Sequence, residues 1–247
     1  MINPMELTGK HILITGGSSG IGRAAAVQAS KLGAKVTIIA RNEERLQETI
    51  SMMDNAELHK YYVMDLNEVE KIESLIKQIV AERGAVDGFC HAAGIGTARV
   101  LKSSKISYVE KMFKIHVFSF IEMVRCLSLN GNLNMNASIV GISSVAAEKG
   151  NISQCIYGSA KAAMNGFVIP AALELSSRNI RINTVAFAMV RTEMFDDFLD
   201  VGGDVKVLNK QYLGVIDVES AVSTINYLFS DSAKFITGSI IPVYAGY

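Results

Sequence analysis

Gly16, Gly20 and Gly22 punctuate the segment Thr15-Gly16-Gly17-Ser18-Ser19-Gly20-Ile21-Gly22, which lies between the apolar run His11–Thr15 and an amphipathic stretch from Gly20 to Leu32. A glycine-rich turn leading straight from a strand into a helix admits few architectures. Gly16 permits a tight turn, Gly20 lets a pyrophosphate approach the backbone, and Gly22 lets the helix pack closely on the strand. The helix N-terminus then offers unpaired N–H groups and the positive end of its dipole to an anion. The same glycines would also serve a plain turn. The strand–turn–helix setting favours a dinucleotide cradle made by Gly16, Ser18, Ser19, Gly20, Ile21 and Gly22.

The rest of the chain repeats this alternation. Short β-rich runs are predicted at His11–Thr15, Lys35–Ala40, Tyr61–Met64, Asp87–His91, Ser138–Ile142, Arg181–Ala186 and Ser239–Val243. Helical spacing is predicted over Gly20–Leu32, Glu43–Met53 with Asn42 as N-cap, Glu68–Arg83, Ser107–Leu129, Gln154–Ser177 and Asp217–Phe229. Strands separated by helices imply βαβ units, hence an α/β fold with a parallel sheet covered on both faces. No linker, repeat or composition shift divides residues 1–247, so a single domain is expected. Residues 193–214 show weak periodicity and contain Gly202-Gly203, which suggests a substrate lid.

Composition narrows the function classes. With 24 basic and 24 acidic residues, no net charge draws the chain to nucleic acid or an anionic membrane. No apolar run approaches the roughly 18 residues needed to span a bilayer. Cys90, Cys126 and Cys155 are odd in number and form no CxxC, which argues for a reducing compartment. The first ten residues lack the apolar core of a secretory signal. A cytoplasmic protein is expected.

Two further positions carry chemistry. After the second predicted strand comes Ala40-Arg41 with no acid. A carboxylate there would hold ribose hydroxyls and repel a 2′-phosphate, whereas a guanidinium pairs with one, so NADP(H) is favoured over NAD(H). Arg41 would otherwise be an ordinary solvated cation. Tyr157 and Lys161 stand at i and i+4, on one helix face. An ammonium beside a phenol favours the phenolate and would lower its pKa, as a proton donor to a carbonyl requires. Ser143-Ser144 ends the fifth strand, where a hydroxyl could polarise the same oxygen.

Together these residues resemble the classical short-chain dehydrogenase/reductase family from Lys10 to Val243. The matches are the glycine motif, Asp65-Leu66, Ala93-Gly94, the strand-five serine, Tyr157-x-x-x-Lys161, Arg181-Ile-Asn183, Thr192 and Gly238. The resemblance implies a Rossmann-like, doubly wound, seven-stranded parallel sheet and hydride transfer between a nicotinamide and a carbonyl or alcohol substrate. By the same resemblance Tyr157 is the general acid/base, Lys161 lowers its pKa and holds the ribose, and Ser144 orients the substrate. Asp65 and Leu66 are adenine contacts, Ala93 and Gly94 line the cofactor, and Val190 and Thr192 meet the carboxamide. The general pattern is similar to the 3-oxoacyl-carrier-protein reductase branch, with sugar, steroid or polyol enzymes as the alternative. Homodimers or homotetramers are implied as well.

The chain departs from the family at two asparagines. His91 replaces one before Ala92-Ala93-Gly94, and His116 replaces the one expected in the following helix. A hydrogen-bonded structural imidazole is the expectation for His91. For His116 two readings stand side by side, a proton relay titrating near pKa 6–7 and a structural ring. No cysteine or carboxylate cluster accompanies either histidine, so no metal is expected. The lost asparagines also leave open a non-catalytic dinucleotide-binding sensor or scaffold.

Overall fold

The computed structural model describes residues 3–96, 98–129, 131–200 and 205–247. Seven parallel strands form one sheet in the order β3-β2-β1-β4-β5-β6-β7. They are β1 His11–Thr15, β2 Lys35–Ala40, β3 Lys60–Val63, β4 Val86–His91, β5 Leu133–Ser144, β6 Arg181–Phe187 and β7 Ile240–Val243. Every residue of β1 and β6 is buried, as expected where helices cover both faces of a parallel sheet.

The helices are α1 Gly20–Lys31, α2 Glu43–Ser51, α3 Ile72–Arg83, α4 Ile106–Phe113, α5 Ser119–Ser128, α6 Cys155–Leu175, α7 Glu193–Asp200 and α8 Val218–Phe229. Asn42 caps α2 by accepting from Arg45 N, and Asp217 caps α8 by accepting from Ser220 N. One core joins α1, α2 and α8 to the sheet through residues such as Ala25, Leu46 and Ile225. The other joins α3, α5 and α6 to the opposite face through Ile76, Phe120 and Met164. Because β1 lies between β2 and β4, the chain reverses its winding there, and the carboxyl ends of β1 and β4 frame the crevice in which such sheets bind ligands.

Two expectations need correction. The helix predicted over Ser107–Leu129 is interrupted by a π-helical turn at Lys114–Phe118, a local widening that hydrophobic spacing does not reveal. β5 begins at Leu133, earlier than the apolar pattern suggested, and its register with β4 shifts between Val86 and Gly88. Apart from these corrections, the 193–214 segment holds α7 and a 3₁₀ turn at Val205–Lys210, while Gly202-Gly203 lie outside the described residues. Pro170 sits inside α6, which nonetheless continues to Leu175.

Phe120 anchors the α5 side of the core. It is fully buried and packs against the rings of His91, at 5.3 Å, and Phe167, at 5.6 Å. Phe120→Ala should lose both ring contacts and leave a cavity, costing about 3–5 kcal/mol, read as a lower urea midpoint with unchanged slope. A midpoint equal to that of the wild type would show that this core is not cooperative with the rest.

Candidate active site

At the carboxyl end of β1 the chain turns so tightly that side chains are excluded. Gly16 adopts φ +73°, and its N–H donates to Ile39 O at 2.8 Å, tying the turn to β2. A Cβ on Gly22 would lie 2.2 Å from Gly16 O, and one on Gly16 would lie 2.8 Å from the Ala92 backbone. Only glycine fits either position. Ser19 starts α1 in an extended conformation, and its side chain makes no capping bond, so the first-turn N–H groups are left to face an anion. Arg23, which sequence inspection passed over, fixes the turn by donating to Ser18 O at 2.7 Å while pairing with Glu48.

The turn opens onto a cleft of about 860 Å³ at the carboxyl edge of the sheet. All the cofactor-binding candidates line it: Gly16, Ser18, Ser19, Gly20, Ile21 and Gly22. So do Arg41, Asp65, Leu66, Ala93, Gly94, Val190 and Thr192. Burial works against a charged Asp65, but hydrogen bonds from Asn67 and the nearby charges of Arg41 and Lys111 outweigh it and hold the carboxyl below its usual range. Arg41 itself is exposed and forms no ion pair among the described residues. Across the cleft mouth Arg45 pairs with Glu193, a link from α2 to α7 without any local sequence signal.

At the other end of the cleft β5 delivers Ser144 and α6 delivers Tyr157 and Lys161. Ser144 accepts from Ala146 N at 3.2 Å and shares a side-chain hydrogen bond with Tyr157. Ser143 instead is buried, its hydroxyl 3.5 Å from Lys161 O. Lys161 is 4% exposed, and its Nζ donates to Ile142 O at 2.6 Å. Burial pushes this amine down to about 7. Burial also raises the Tyr157 phenol, with the Ser144 bond opposing it. That direction is the reverse of the one inferred from helical spacing. The lysine Nζ stands 5.7 Å from the phenol ring centre, bonded to backbone rather than to the hydroxyl.

Both histidines are buried. His91 Nδ1 meets Thr15 Oγ1 at 3.0 Å, and its Nε2 lies 3.3 Å from both Ile115 O and Ser119 Oγ, so it links the ends of β1 and β4 to the π-helical turn. Burial, aided by the Lys161 charge, pushes it down to about 3. His116 sits in the π-helical turn, with its ring edge-on to Tyr157 at 5.6 Å. Its Nε2 lies 2.9 Å from Ile95 O and 3.3 Å from Ile95 N, and its Nδ1 is buried without a partner among the described residues. Burial and the charge of Lys161 hold its pKa well below 6.5. That direction runs away from the titration near 6–7 expected of a relay, and the contacts to Ile95 tie the π-helical turn to the loop that follows β4. The one triad of potential ligands among the described residues, Glu73, Glu122 and Cys126, lies elsewhere, and Arg125 bonds to both of its carboxylates.

Because the folded pKa of His116 lies below its unfolded value, the unfolded chain binds more protons as pH falls through about 6.5, and stability is lost in that direction. The melting temperature should fall between about pH 7 and pH 5, and less steeply in His116→Asn. Parallel melting curves for the two proteins would refute a neutral His116.

Comparison with known proteins fits this geometry. Residues 10–200 match the family model described as short chain dehydrogenase. Carbonyl reductase family member 4 of Xenopus laevis is 31% identical, covering 96% of this chain and 97% of the relative. The 3-oxoacyl-(acyl-carrier-protein) reductase of Escherichia coli is 31% identical over 98% of both chains. L-xylulose reductase of Caenorhabditis elegans is 29% identical over 98% of this chain and 97% of the relative. Among solved structures, a dehydrogenase/reductase from Sinorhizobium meliloti superposes with a TM-score of 0.91 at 25% identity, covering 98% of this chain and 96% of that one. ElxO with NADP bound superposes at 0.86 with 26% identity, over 96% of this chain and 98% of that one.

Proposed function

The chain belongs to the short-chain dehydrogenase family, oxidoreductases acting on carbonyl and alcohol groups, and we propose that within it this protein is an NADP(H)-dependent carbonyl reductase with Tyr157 as general acid/base. The observation that carries the reading is the convergence of Ser144, Tyr157 and Lys161 on one cleft with the glycine turn.

The glycine turn fits a dinucleotide, since Gly16 and Gly22 leave no room for side chains and the N-terminus of α1 faces the cleft. Arg41 and Arg45 would meet a 2′-phosphate, Asp65 and Leu66 the adenine, and Ala93, Gly94, Val190 and Thr192 the nicotinamide half. The bound cofactor would supply or accept the hydride. Of the N–H donors on Lys161 one meets Ile142 O and one points to Met164 Sδ at 3.9 Å, which leaves a third to hold a ribose hydroxyl. Ser144 donates to the carbonyl oxygen, and Tyr157 delivers the proton to it as the alcohol forms. A buried phenol is protonated at neutral pH and suited to give a proton, and the Ser144 hydrogen bond favours the phenolate left behind.

We assign the substrate to the 3-oxoacyl thioesters, in keeping with the relatives that reduce such groups; a sugar carbonyl is the alternative that the xylulose reductase supports. A cytoplasmic setting agrees with three unpaired cysteines, and no helix among the described residues is long and apolar enough to cross a membrane. Exposed Ile121 on α5 and Ile169 and Leu173 on α6 favour a homodimer or homotetramer.

Three measurements test this. Tyr157→Phe should lower kcat about 10²-fold or more while NADPH affinity stays within twofold, roughly, because only the proton donor is lost. Wild-type turnover in that variant would sink Tyr157 as the proton donor, whereas NADPH binding without reduction of any carbonyl by the unaltered protein would favour a non-catalytic sensor. Arg41→Asp should reduce the preference for NADPH over NADH by about tenfold, or 1.4 kcal/mol, in kcat/KM. An unaltered preference would make Arg41 a plain surface charge. Light scattering at micromolar concentration should give a dimer or tetramer, and a strictly monomeric mass would refute the assembly.

A further inference from the structure

One turn before Tyr157, Gln154 forms part of the cleft wall. Its amide is held from behind by residues remote in sequence. Gln154 Oε1 accepts from Asn151 Nδ2 at 3.2 Å, and Asn151 Oδ1 accepts from the Tyr247 hydroxyl at 2.6 Å. Lys210 Nζ in turn donates to the Tyr247 oxygen at 3.4 Å and lies 5.0 Å from the ring centre.

This chain of bonds has a direction, because a lysine ammonium only donates. Accepting from Lys210, the phenol turns its own hydrogen to Asn151. Asn151 must then present its carbonyl oxygen to Tyr247 and its NH₂ group to Gln154. The Gln154 oxygen is thereby engaged, and its Nε2 meets no acceptor among the described residues. Two backbone anchors hold the tail in place. Leu213 N donates to Ala245 O at 3.0 Å, and Lys149 Nζ donates to Tyr247 O at 3.1 Å.

We propose that Gln154 is a specificity-determining residue, its amide fixed by Lys210, Tyr247 and Asn151 with the NH₂ group toward the cleft, so that the site selects carbonyl substrates bearing a second carbonyl oxygen two carbons from the reacting carbon. A 3-oxoacyl thioester has that oxygen and a simple ketone lacks it. A site that offers a donor leaves that donor unpaired with the wrong substrate, and such mismatches discriminate more strongly than missing methylenes. Tyr247 and Asn151 are positioning residues: they act only through the orientation of Gln154. The inference rests on the reductase reading for its substrate class, but its test does not depend on turnover.

The probe is acetoacetyl-N-acetylcysteamine, compared with a monoketone of equal length, titrated calorimetrically into full-length protein loaded with NADP⁺. The unaltered protein should bind the thioester about fivefold or more tightly than the monoketone, the scale of one well-placed hydrogen bond. Tyr247→Phe removes the hydroxyl that polarises the chain. Asn151→Asp keeps the acceptor for Tyr247 but removes the donor to Gln154, so the amide would turn its oxygen to the cleft. Each variant should erase most of that ratio while melting temperature and NADP⁺ affinity hold. A ratio retained in both variants, equal losses for both ligands, or no thioester binding by the unaltered protein would overturn the inference. Steady-state oxidation of NADPH by the same thioester separates the two readings. An intact, variant-sensitive binding ratio without turnover would sink the reductase and leave the selectivity standing, whereas turnover with a variant-insensitive ratio would do the opposite.

Discussion

A lysine ammonium almost entirely removed from water is the constraint around which this site is organised. Lys161 reaches under the carboxyl end of β5 and is held by the Ile142 carbonyl. Water would stabilise its charge far better than one carbonyl can, so the amine falls to about 7. Its charge and the general burial together keep His91 and His116 neutral, since a second cation this deep would go unpaired. Neutral imidazoles can then serve as hydrogen-bonding struts. His91 spans from Thr15 to the π-helical turn, and His116 spans from that turn to Ile95. The cofactor loop, the loop after β4 and the helix carrying Tyr157 are tied together in this way.

The glycines impose a complementary constraint. Gly22 presses α1 onto the Gly16 carbonyl, and Gly16 in turn presses on Ala92, so the β1 turn and the β4 loop share one close-packed seam. Gly94 extends it: a Cβ there would fall 2.3 Å from the His116 ring. Substituting His116 would therefore open space against Gly94 as well as remove its hydrogen bond. The asparagine expected by family resemblance at His116 is thus replaced by a larger ring in a space that Gly94 leaves open for it.

Much of this was legible in the residues. The glycine spacing, the alternation of strands and helices, and Tyr157 with Lys161 on one helix face are short-range patterns, and periodicity reports them directly. The π-helical turn was not legible, because hydrophobic spacing barely changes when one extra residue enters a turn. Nor was the direction of the Tyr157 shift, since i, i+4 spacing brings two side chains together without saying which other atom the lysine will choose.

The sequence by itself determined the α/β class, the strand order of appearance, the glycine turn after β1 and the placing of Tyr157 and Lys161 on one helix face, because each is written in neighbouring residues and their periods. Only the tertiary structure decided the downward pKa shifts of His91, His116 and Lys161, the Arg45–Glu193 link across the cleft mouth and the run of bonds from Lys210 to Gln154. The physical reason is the same for all of them. Burial and hydrogen-bond partners depend on segments that meet only when the sheet is assembled, and the energy of a charge depends on those neighbours rather than on its place in the chain.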